Sequence, residues 1–132
     1  MMIYLWVAAG GALGSMARFY LANVMTILTG PTFPWGTLLI NVVGSFVIGF
    51  FGAATGHLGR IAVPIEIRTF VMVGICGGFT TFSSFSLQTL ELARAGEMVR
   101  AGSYVAASVI LCLLFVWLGV ALGGSLWGRQ MP

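Results

Sequence analysis

Gly74-Ile75-Cys76-Gly77-Gly78-Phe79-Thr80-Thr81-Phe82-Ser83-Ser84-Phe85 sets three glycines beside a run of hydroxyl and phenylalanine residues. It lies in the middle of an apolar run from about Ile65 to Ala95. A run of that length is enough to cross a bilayer, which takes about 20 residues as a helix. Three glycines followed by hydroxyl residues hold a helix poorly. A break at membrane depth frees carbonyl and N–H groups that lipid cannot satisfy, so they must face protein, water or an ion. Broken helices are a recurrent way to build an ion site. A continuous helix packed tightly at its glycines is the alternative, and the residue types favour the break.

The flanking sequence supports a membrane setting. Of 132 residues, 59% are apolar and only 7% are charged. A soluble domain carries about 25% charged residues. The charges are Arg18, Arg60, Glu66, Arg68, Glu91, Arg94, Glu97, Arg100 and Arg129, with no Lys and no Asp. Only Arg18 interrupts a long apolar run. Four spans are expected, at approximately 3–28, 35–56, 65–95 and 100–127, making residues 1–132 a single all-α transmembrane domain with its third helix broken mid-membrane. Thr29-Gly30-Pro31 ends the first span, and Pro34 suits the start of the second. Trp6, Trp35 and Trp127 fit interfacial belts, with Trp117 the exception. Gly pairs at four-residue spacing, Gly10/Gly14, Gly52/Gly56 and Gly119/Gly123, permit close helix approach.

Several classes are excluded or disfavoured. Met1 opens an apolar run with no basic segment before it, so no cleaved secretory signal is expected. Cys76 and Cys112 lie far apart in apolar segments, which argues against a disulfide framework or a thiolate metal site. The arginines are scattered, so nucleic acid is not an expected partner. There is no nucleophile–base pair and no phosphate loop, and the chain is not read as an enzyme. With the N-terminus placed in the cytoplasm, three arginines of the connections and termini fall on that side and two on the other. That balance assigns no orientation. Either another charge sets it, or the chain inserts both ways and pairs as an antiparallel dimer.

Polar side chains within apolar runs tend to face a protein interior or a water path. Thr37, Asn41 and Ser45 share one face of the second span at i, i+4, i+8. Tyr104, Ser108 and Cys112 do so on the fourth, and Thr80, Ser84 and Gln88 on the third, with Phe82 and Phe85 beside them. No carboxylate lies deep in a span, whereas proton-coupled cation exporters rely on one. The groups available are amide and hydroxyl donors and ring edges, which carry partial positive charge. This set suits an anion path.

These residues resemble the Fluc fluoride channels, also called CrcB proteins, over essentially the whole chain. The resemblance rests on Gly11-Ala-Leu-Gly-Ser-Met-Ala-Arg18-Phe19, on Pro34-Trp-Gly-Thr-Leu38 leading to Asn41, Gly44 and Gly49, and on Gly77-Gly78-Phe79-Thr80-Thr81-Phe82-Ser83-Ser84-Phe85-Ser86. It implies an antiparallel, dual-topology homodimer with two fluoride pores, in the bacterial cytoplasmic (inner) membrane. It implies passive fluoride export that gives resistance to fluoride toxicity. The expected pore residues are Thr37, Asn41, Thr81, Phe82, Ser84, Phe85, Tyr104 and Ser108, with Arg18 near an aqueous vestibule. A structural sodium ion at the dimer interface would take the backbone carbonyls of Gly77 and Thr80. Two positions depart from the family pattern: Cys112 stands where a hydroxyl residue is common, and Gln88 where some relatives carry Glu. The alternatives are a small multidrug-resistance-type exporter, against which the missing carboxylate argues, and a non-transporting membrane assembly subunit.

Overall fold

Apolar side chains cover the outside of this molecule. In the computed structural model, which describes residues 1–57, 59 and 61–125, Leu13, Met16, Phe19 and Ile27 of the first helix are exposed, as are Ile110, Leu113, Trp117 and Val120 of the last. That pattern fits lipid as the surrounding solvent. The described residues are all-helical, with no strand. In order they form α1 (Met2–Thr29), α2 (Trp35–Thr55), α3 (Ile65–Thr69), a π-helical turn (Phe70–Ile75), α4 (Cys76–Phe79), α5 (Phe82–Arg94) and α6 (Met98–Ser125).

Three stretches among the described residues are long and apolar enough to cross a membrane: Trp35–Thr55, Ile65–Arg94 and Met98–Ser125. The helix α1 has the length, at 28 residues, but Arg18 and Asn23 dilute its apolar run. Arg60, Trp127 and Arg129, and with them the expected end of the last span, lie outside the described residues.

Local chemistry sets the helix ends. Gly30, with φ +79°, follows α1, and its N–H donates to the Thr26 carbonyl. At the other sharp turn, Gly96 takes φ +80°, a conformation that costs an L side chain dearly. There the Gly96 N–H bonds to Ala93 and the Glu97 N–H to Leu92 at 2.9 Å, the double closure of a Schellman motif. This turn reverses the chain between α5 and α6. Arg68 donates from Nη1 to the Thr55 carbonyl at 3.0 Å and so satisfies the C-terminal end of α2.

Two glycine seams hold the helices together. A Cβ on Gly119 of α6 would lie 2.8 Å from the Phe50 nitrogen of α2, and Gly123 meets the Phe50 backbone in the same way. A Cβ on Gly74 would lie 2.8 Å from the Gly10 Cα of α1, and Gly14 presses on the Ile75–Phe79 backbone. Backbones approach this closely only where no side chain intervenes. The Gly10/Gly14 and Gly119/Gly123 pairs therefore act as the sequence suggested. Gly52/Gly56 does not: Gly52 faces the Met72 side chain, and Gly56 already lies beyond the end of α2. Between the seams, Leu38, Val42, Phe85 and Tyr104 form the buried core of α2, α5 and α6.

Candidate functional site

The helix that begins at Cys76 stops at Phe79. Thr80 (φ −83°, ψ 156°) and Thr81 (φ −152°, ψ 111°) are extended, and helix resumes at Phe82. The glycines themselves stay helical, and it is the two threonines that leave the helix. Gly44 of α2 makes room for them, because a Cβ there would collide with the Thr80 methyl group.

Several of the freed backbone groups near the interruption have identifiable partners. The Cys76 carbonyl accepts from the Thr80 N–H at 3.0 Å and from Thr80 Oγ1 at 2.7 Å. The Gly78 carbonyl accepts from Arg18 Nε at 3.0 Å, with Ser15 Oγ at 3.4 Å. Thr81 is bonded twice by the Asn41 amide: its N–H donates to Oδ1 at 2.8 Å, and its carbonyl accepts from Nδ2 at 3.1 Å. Thr81 Oγ1 accepts from the Ser84 N–H at 3.1 Å, an N-cap that starts α5. The Gly77 and Thr80 carbonyls accept no hydrogen bond among the described residues.

The interruption opens on a groove of about 440 Å³. Phe82, Phe85 and Thr81 line it from α5 and the interruption, Asn41 and Ser45 from α2, Ser108 and Cys112 from α6. Phe82 is 77% exposed and Phe85 only 9%, their ring centroids 5.4 Å apart. Ser108 is 6% exposed, and its Oγ is buried with no hydrogen-bond partner among the described residues. A buried hydroxyl without a partner is uncommon and calls for an explanation.

The structure divides the residues that the helical stripes had grouped. Thr37 does not reach the groove. It lines a second cavity of about 490 Å³, with Gln88, Glu91, Glu97 and Arg100, where α1 meets α2 and α5 meets α6. Tyr104 is fully buried between the two spaces. Its hydroxyl donates to Gln88 Oε1 at 2.9 Å, and its ring packs on Phe85 at 5.1 Å and Phe33 at 5.5 Å. Ser84 is not on the groove wall. Thr80 shares no helical face with Ser84 and Gln88, because the extended pair Thr80–Thr81 breaks the register that the spacing assumed. Arg18 reaches the Gly78 carbonyl.

Sequence reasoning missed the Asn41–Thr81 pairing and the Arg18–Gly78 bond, which join residues 40 and 60 positions apart. It also missed the π-helical turn. That turn, with Gly74 in it and Gly78 four residues on, faces α1: a Cβ on Gly78 would press on the Gly11 backbone. Gly44 was the one local signal, a residue without a side chain beside the bulk of Thr80.

Among the described residues no three His, Cys, Asp or Glu gather as a metal site. Comparison with known proteins identifies a family. The model of a family described as "CrcB-like protein, Camphor Resistance (CrcB)" matches residues 5–120. A relative from Methylocella silvestris, "Fluoride-specific ion channel FluC", is 62% identical over 118 residues, covering 89% of this chain and 90% of the relative. Relatives with the same name from Opitutus terrae and Rhodospirillum rubrum are 58% and 56% identical, covering 90% and 89% of this chain and 90% and 92% of theirs. The match to the family model and these identities over nearly the full length place the chain in the CrcB-like family.

Proposed function

We propose that this chain forms a fluoride-selective channel that lets cytoplasmic fluoride leave passively and so protects the cell from its toxicity. The partnerless Ser108 hydroxyl carries the reading from the structure. A buried donor left free in a groove is complementary to an anion that has shed water. The name that the relatives share supports fluoride as that anion.

The physics is that of exchanging hydration for fixed donors. Fluoride enters a cell as its neutral weak acid and ionises at cytoplasmic pH. The trapped anion is small and strongly hydrated, so a path must offer close donors in place of water. Ser108 Oγ, the Asn41 amide and the positive ring edges of Phe82 and Phe85 are such groups. Donors held in place need no reorganisation as the ion arrives, and a narrow path disfavours chloride. Cys112 is a weaker donor on the same wall.

In this reading α1 crosses the membrane as the first of four spans, and the interruption at Thr80–Thr81 lies within the bilayer. Two copies pair antiparallel in the bacterial cytoplasmic membrane, each open groove covered by the other copy to make two pores. The chain inserts in both orientations. A sodium ion would fit the Gly77 and Thr80 carbonyls, which accept no hydrogen bond among the described residues. When bound it supplies positive charge between the anion paths and ties the two copies together.

The deciding measurement is reconstitution of the full chain into liposomes with a fluoride electrode and a chloride control. Fluoride efflux well above that of empty vesicles, with little chloride flux, is expected. Efflux equal to empty vesicles would overturn the proposal.

A further inference from the structure

Asn41 holds Thr81 by both of its backbone groups, and the geometry has a chemical requirement. In an extended residue the N–H and C=O point to the same side, so one planar amide can meet both. In a helical residue they point to opposite ends of the axis, and no single amide can do so. The pairing therefore exists only while Thr81 stays out of the helix. It also sets which way the amide faces: Oδ1 must be the acceptor toward the Thr81 N–H, and Nδ2 the donor toward the Thr81 carbonyl. One Nδ2 hydrogen is left over, and Asn41 lines the groove.

What Thr81 does gives that clamp its reach. Thr81 is the N-cap of α5, with its Oγ1 on the Ser84 N–H. The next residue is Phe82, and Phe85 follows one turn later. The trajectory of α5 out of the interruption thus depends on how Thr81 is held. The Phe79–Thr80 side of the interruption is fastened separately, through Cys76 and Gly78.

We propose that Asn41 is a positioning residue, whose amide clamps the Thr81 backbone, directs α5 and so places the Phe82 and Phe85 rings along the groove. This rests on the groove being the fluoride path. Asn41 then acts in two ways, through the two bonds that hold Thr81 and through one remaining N–H on a residue that lines the groove. The clamp accounts for why an amide, rather than a hydroxyl, stands at this position of the α2 stripe. A hydroxyl has one O–H, so it cannot donate both to the Thr81 carbonyl and to a second acceptor in the groove.

The test is amide hydrogen exchange on the full chain in detergent or liposomes, read at Thr81, alongside fluoride and chloride flux. Asn41→Ala is expected to speed Thr81 exchange about tenfold, the factor that one lost net hydrogen bond gives. Amides within α2 and α6 keep their wild-type rates, which separates the clamp from general loosening. The fluoride-over-chloride ratio falls by about tenfold in the same variant, as displaced rings and one missing donor weaken recognition. Ser108→Ala serves as the comparison: it removes a groove donor and leaves Thr81 exchange unchanged. If Asn41→Ala does not fold, Asn41→Leu keeps a similar volume and loses both bonds, and a similar speeding of Thr81 exchange is expected. Thr81 exchange within about twofold of wild type in whichever variant folds overturns the clamp, even where flux is lost. A wild-type chain without fluoride efflux overturns the proposed function instead, and the exchange result still judges the clamp.

Discussion

Arg18 Nε donates to the Gly78 carbonyl at 3.0 Å, linking the one charged residue inside α1 to the last turn of helix before the interruption. A guanidinium suits this place. It carries a full charge toward the negative end of a helix and satisfies a carbonyl that the interruption has orphaned. Removing it as Arg18→Met leaves that carbonyl bare. Hydrogen bonds to charged groups contribute about 1.5–3 kcal/mol, so the apparent melting temperature in detergent should fall by several degrees. An unchanged melting temperature would mean that the bond contributes nothing.

Ser108→Ala separates conduction from stability. The hydroxyl is buried and unpaired, so its loss should leave thermal stability equal or slightly higher. Fluoride efflux should drop about tenfold, which corresponds to about 1.4 kcal/mol of lost interaction with the passing ion. If stability and efflux fall together, the hydroxyl has a structural partner and is not a groove donor.

Glycine substitutions should divide by what faces them. Gly119→Ala drives a Cβ into the Phe46–Phe50 backbone of α2, a site that cannot yield as a side chain would. A loss of about 1–3 kcal/mol is expected, read as a lower melting temperature or poor yield. Gly102→Ala, also in α6, meets nothing within 4 Å and should be neutral or stabilising by up to about 1 kcal/mol. Equal effects of the two would count against the α2–α6 seam.

Thiol chemistry should single out Cys112. It lines the groove and is partly accessible, whereas Cys76 is only 3% exposed. A small charged methanethiosulfonate reagent should inhibit efflux in the wild type and in Cys76→Ser, and lose its effect in Cys112→Ser. Inhibition that persists in Cys112→Ser would take this side chain off the ion path. The same variant restores a stronger donor and should conduct at least as well as wild type.

Much of this fold was legible along the chain because its causes are local. Apolar runs, Pro34, Gly30 and the few charges mark where helices start and stop, and each acts on its own neighbours. The weakness of Gly74–Phe85 as a helix was legible for the same reason, though the residues that leave the helix are Thr80 and Thr81. The stripes were read correctly only in part. Asn41 and Ser45 share the groove with Ser108 and Cys112, while Thr37 and Tyr104 turn to the space beside Gln88. A spacing of four places residues on one side of a helix, but it does not say which neighbour that side meets along its length.

Composition and periodicity alone specify a helical, apolar-surfaced chain with donor groups and no deep carboxylate, since they need no tertiary partner to be read. How the interruption is satisfied depends on the packing of helices distant in the chain. Arg18 takes one carbonyl, Asn41 takes both groups of Thr81, and among the described residues the Gly77 and Thr80 carbonyls and the Ser108 hydroxyl are left without partners. Those outcomes depend on helices brought together by glycine seams, where backbone approach rather than side-chain type selects the pairs.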